Sequence, residues 1–107
     1  MIFILKKRKY KTNFLIKSID VFLVNHYLQT KCNLTVPKEN YSFAFYVYHK
    51  NKREPVFRSN YSEFDTNQVK LNENGEYRVK VFVKNNETKE IKTLMSSPIQ
   101  KSTVIDF

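Results

Sequence analysis

The chain has 107 residues and a formal net charge of +9, so it is one compact domain and too short for two. Its single cysteine, Cys32, excludes an internal disulfide and a thiolate metal cluster within one chain. Nine Phe and seven Tyr beside one Gly and no Trp favour pleated, half-buried strand surfaces over Ala- and Leu-rich helices.

Residues 1–15 read as a basic N-terminal arm or leading segment. The apolar run Met1 to Leu5 stops at Lys6, far short of a membrane span of ~20 residues. Its basic cluster follows the apolar run instead of preceding it, and there is no small-residue cleavage site, so it is a poor signal peptide. Residues 1–17 carry Lys6, Lys7, Arg8, Lys9, Lys11 and Lys17 and no acid, which leaves only +3 for the rest of the chain. Fifteen Lys accompany only four Arg, although the planar Arg fork is the better reader of phosphates and base edges. Eleven Asn accompany them, and Lys, Asn, Ile, Phe and Tyr all have A/T-rich codons, so a low-GC genome explains much of the basicity.

From Ile16 onward the apolar residues alternate with period two, the signature of strands. Ile16 to Val24 is the first expected strand. A helix over Ile16 to Gln29 competes with it, since Ile16, Ile19, Leu23 and His26-Tyr27 also satisfy helical spacing. Cys32 to Val36 follows, closed by Pro37 and the turn Pro37-Lys38-Glu39-Asn40. Tyr41 to His49 is the strongest strand. Phe43, Phe45 and Val47 face one way; Ala44, Tyr46 and Tyr48 face the other. The loop His49 to Arg53 then leads to Val56 to Arg58, which Pro55 restricts to an edge. Phe64 to Leu71 and the turn Asn72-Glu73-Asn74-Gly75 come next. Tyr77, Val79, Val81 and Val83 share a face, with Arg78, Lys80 and Lys84 opposite and Phe82 breaking that polar row. Ile91 to Met95 is the last expected strand. The pattern predicts an all-β antiparallel sandwich of about seven strands over residues 16–99, with 100–107 as a tail.

The segment Leu71 to Val83 resembles the corner before the sixth strand of fibronectin type III-like, immunoglobulin-like sandwiches. There a Leu precedes a tight turn, and a Tyr six residues later opens an alternating strand and bonds back to the turn. Leu71, Gly75 and Tyr77 match that pattern. With Tyr46, Tyr48 and Tyr61, residues 16–98 look like a triple-tyrosine-motif domain. The resemblance implies a module appended to bacterial sensor, cell-surface or polysaccharide-related proteins. The Trp of an early strand and the turn proline are absent here.

Chemistry-bearing motifs are sparse. One Gly builds no phosphate loop, and His26 and His49 lie too far apart in sequence for a recognisable metal spacing. No cofactor is implied. Glu63 and Asp65 lie two apart, as glycoside-cleaving carboxylates can, but a pair flanking Phe64 is also the ordinary polar face of a strand. The sequons at Asn33, Asn40, Asn60 and Asn86 arise by chance in an Asn-rich chain. The expectation is a non-enzyme, a module contacting protein or carbohydrate. Two surfaces are candidates. Tyr46, Tyr48 and Tyr61 either form a contact face or fill a sheet's core. The arm Lys6, Lys7, Arg8, Lys9 and Lys11 is either a solvated tail or a contact for nucleic acid or an anionic surface.

Overall fold

A computed structural model describes residues 14–102. The described residues form eight strands: β1 (Ile16–Val24), β2 (Tyr27–Leu34), β3 (Tyr41–His49), β4 (Phe57–Arg58), β5 (Thr66–Lys70), β6 (Gly75–Asn85), β7 (Ile91–Met95) and β8 (Ile99–Lys101). They build two antiparallel sheets, one ordered β1-β2-β5, the other β4-β3-β6-β7 with β8 also on β6. The chain changes sheet between β2 and β3, between β4 and β5, and between β5 and β6. The protein is an all-β sandwich.

Alternation decides which side chains lie between the sheets. Phe43, Phe45 and Val47 of β3 and Val79, Val81 and Val83 of β6 are buried there. Leu28 and Cys32 of β2 and Ile16 meet them from the other sheet, and Leu71 and Tyr77 close one end. Each buried Val, Phe or Leu contributes about 1.5–3 kcal/mol of hydrophobic stabilisation.

β1, β3 and β7 form over the expected residues, and β4 is an edge strand as Pro55 dictates. The competing helix is replaced by a β1–β2 hairpin whose two-residue link is Asn25-His26, with Asn25 at φ 56°. Asn tolerates this left-handed conformation better than most side chains. Consequently β2 starts at Tyr27, not at Cys32, and ends before Val36. β5 begins at Thr66, so Phe64 and Asp65 precede it, and Phe64 stays exposed. Gln100 and Lys101, expected in an unpatterned tail, instead pair with Glu76 and Gly75 as part of β8, so the expected boundary at residue 99 falls inside that strand. At the other end Leu15 packs on the core, and its carbonyl accepts a hydrogen bond from Thr35 N.

Candidate functional site

The turn between β5 and β6 is a tightly bonded corner. The buried Tyr77 hydroxyl donates to the Glu73 carbonyl oxygen at 2.6 Å. The Tyr77 ring stacks on His49 at 4.3 Å between centroids and 9° between planes. The His49 Nε2–H donates to the Asn74 carbonyl at 2.9 Å, and its Nδ1 lies 3.5 Å from the Glu73 carboxylate. Gly75 sits at φ 129°, and a Cβ there would come within 2.7 Å of His49 Nε2 and of the Lys50 side chain. Only glycine fits. Burial and the Glu73 charge push the Tyr77 hydroxyl pKa up, against the opposing backbone hydrogen bond at Glu73. Leu71, Gly75 and Tyr77 thus lie together at one corner.

The two outer sheet faces differ in kind. On the three-stranded sheet, Phe22, Val24 and Tyr27 are exposed, and several polar side chains pair among themselves. Gln29 donates to Gln68 at 2.8 Å, Asn33 bonds Ser18 and Asp20, and Lys31 bonds Asp65 at 2.8 Å. Burial acts to raise the Asp65 pKa, but the hydrogen bond and charge of Lys31, with Lys38 beyond, outweigh it and hold the carboxyl below its usual range. Asp65 is therefore tied into ion pairs, while Glu63 stands exposed beside it. Cys32 is buried, and its thiol is pushed up to about 12 by burial first and the Asp65 charge second, against Lys31. A thiol that stays protonated is a poor nucleophile.

The outer face of the β4-β3-β6-β7 sheet is aromatic and basic. Register places Arg58 beside Tyr46, Tyr46 beside Lys80, Ala44 beside Phe82 and Ser42 beside Lys84. Across from these, β7 contributes Met95, Thr93 and Ile91. The segment after β4 stays along β3, since Ser59 N bonds the Phe45 carbonyl and Ser62 exchanges two backbone bonds with Phe43. That track carries Tyr61 onto the face. Burial, then the neighbouring Tyr46, raises the Tyr61 pKa.

The rings carry the cations. The Tyr46 and Phe82 centroids lie 4.6 Å apart at 54°. The Arg58 guanidinium lies 5.6 Å from the Tyr46 centroid, Lys80 Nζ 5.2 Å from Phe82, and Lys84 Nζ 4.5 Å from Tyr61. Such contacts contribute about 0.5–1 kcal/mol each at exposed sites. Arg58 also pairs with the exposed Glu54 at 2.8 Å. Among the described residues, Arg78, Lys80 and Lys84 make no ion pair. Ala44 forms the floor of a hollow of about 380 Å³, lined by Tyr46, Tyr61 and Phe82 and rimmed by Ser59, Asn60 and Thr93.

The structure therefore brings Tyr46 and Tyr61 together and leaves Tyr48 half-buried on the same face, opposite Arg78. None of the three lies in the core between the sheets. Lys6, Lys7, Arg8, Lys9 and Lys11 lie outside the described residues. Sequence reasoning did not assign Phe82, Lys80, Lys84 and Arg58 to this face as a site, although Phe82 interrupting a polar row was the visible signal. Among the described residues, no three His, Cys, Asp or Glu side chains converge as a metal site requires. No helix there is long and apolar enough to cross a membrane. Comparison with protein-family models and with curated proteins finds no match to this chain.

Proposed function

We propose that this chain is a fibronectin type III-like sandwich of the immunoglobulin type that works as a non-catalytic interaction module. Its partner, a protein or a carbohydrate, docks on the outer face of the β4-β3-β6-β7 sheet. Three observations support the fold-level part. Two sheets exchange strands by crossovers, the tyrosine near the start of the sixth strand bonds back into the preceding turn, and Leu71 lies beneath it. Tyr46, Tyr48 and Tyr61 sharing one face favours the triple-tyrosine-motif variety, an accessory domain of a larger bacterial protein.

The functional part rests on one observation. Among the described residues, cations lie over aromatic rings on this one sheet face, where Arg58, Lys80 and Lys84 stand over Tyr46, Phe82 and Tyr61. Rigid, amphipathic rings and Arg are the side chains that carry binding energy at interfaces.

A glycan and protein binding screen tests the reading, run on the full chain, on the variant Arg58→Glu/Lys80→Glu/Lys84→Glu, and on the chain lacking residues 1–11. A ligand held by the full chain and lost by the charge-reversal variant supports the sheet face. A ligand that this variant keeps, or that only the deletion loses, refutes it.

A further inference from the structure

We infer that the hollow over Ala44 binds the ring of an acidic sugar, with Lys80 and Lys84 receiving its carboxylate, so that the ligand class is a hexuronate-containing polysaccharide. The inference rests on the sheet-face reading above and specifies its ligand.

Charge comes first. At the outward register positions of β4, β3 and β6 stand Arg58, Arg78, Lys80 and Lys84 with one carboxylate, Glu76, and of these cations Arg58 alone is paired, to Glu54. A second copy of the chain would bring the same charges against it, so an anion is the complementary partner. The ammonium groups are also held in place. Lys80 and Lys84 rest on Phe82 and Tyr61 at 5.2 and 4.5 Å, which lowers the entropy lost when they bind an anion.

Shape comes second. A hollow of about 380 Å³ is lined by Tyr61 and Phe82, the rings that carry Lys84 and Lys80, within the range of small-ligand sites. Ala44 puts a methyl group beneath Tyr46 and Tyr61, and it is 3% exposed although it faces outward. The rings of Tyr46, Tyr61 and Phe82 supply apolar surface for the C–H faces of a pyranose, and Ser59, Asn60 and Thr93 also line the hollow with hydroxyl and amide groups. A nucleobase needs an open aromatic plane to stack on. Here the Tyr46 and Phe82 planes stand at 54° to each other and leave no parallel slot for a flat base.

The test is calorimetric titration of the full chain with three probes at low salt: a hexuronate trimer, the neutral hexose trimer of the same linkage, and a short single-stranded DNA. The hexuronate should bind, and the neutral trimer should bind at least about tenfold more weakly, as expected for a charge-assisted contact. Lys84→Gln should weaken hexuronate binding by about tenfold for the same reason. Ala44→Phe should abolish it by filling the hollow, while deletion of residues 1–11 should leave it unchanged. Unaltered circular dichroism confirms that each variant folds. Should Ala44→Phe not fold, Lys84→Gln against the neutral trimer decides the matter. Three results overturn the inference: no hexuronate binding, hexuronate binding indifferent to Lys84→Gln, or binding lost with the arm. DNA or a protein held by Lys80 and Lys84 in place of the hexuronate also overturns it, while leaving the sheet-face reading standing. A ligand kept by the charge-reversal variant, or lost only with the arm, removes that reading too.

Discussion

Tyr77→Phe isolates one hydroxyl at the point where the chain passes from one sheet to the other. The ring remains, so its burial and its stack on His49 at 4.3 Å remain. What is lost is the 2.6 Å bond to the Glu73 carbonyl. Removing one partner of a hydrogen bond and leaving the other unmatched costs about 1–3 kcal/mol. A central value of about 2 kcal/mol is a large share of a typical stability of about 5–15 kcal/mol. With a urea slope of about 1–3 kcal/mol per molar, the midpoint should fall by about 1 M. The melting temperature should fall by roughly 10 °C, at about 4–8 °C per kcal/mol for a domain of this size. With no Trp in the chain, far-ultraviolet circular dichroism or tyrosine fluorescence is the signal to follow. A midpoint within about 0.2 M of wild type, below the smallest shift these figures allow, refutes the corner as a source of stability.

Gly75→Ala should cost more than the usual glycine substitution. It forces a side chain to φ 129° and to within 2.7 Å of His49, and backbone strain of this kind alone costs about 1–3 kcal/mol; an unchanged urea midpoint would contradict it. The Cys32 thiol has its folded pKa raised from 9.0 to about 12. A raised value means stability is fully present below pH 9.0 and is lost as pH rises toward about 12, at up to about 1.4 kcal/mol per pH unit. Cys32→Ala should flatten that alkaline decline in urea melts, and parallel declines in both proteins would refute the assignment. Asp65 shows the opposite sign. Its folded pKa lies below the ordinary 3.8, so its contribution is present above that pH and is lost as pH falls through the folded value. Asp65→Asn should lower the neutral-pH melting temperature and narrow the gap to wild type on acidification, and a gap that widens in acid would argue against the Lys31 and Lys38 pairing.

The residue alternation of Ile16–Val24, Tyr41–His49 and Ile91–Met95 determined those strands outright, because a period of two puts every second side chain on one side whatever lies beyond. Leu71, Gly75 and Tyr77 were equally legible, since their corner spans few residues and its chemistry is local. The start of β2 was not. Asn25-His26 lacks the glycine that marks most two-residue hairpins, and only pairing with β1 and β5 draws Tyr27 to Lys31 into the sheet. β8 was hidden for the same reason: Gln100 and Lys101 have no pattern of their own until β6 pairs with them. The aromatic–basic face needed the most tertiary information. Tyr46, Phe82 and Tyr61 are separated by tens of positions, and their shared face depends on strand register and on a loop that tracks along β3. Sequence sets the side on which each residue points. Pairing between distant strands sets which residues stand next to each other, and that depends on the whole core being assembled.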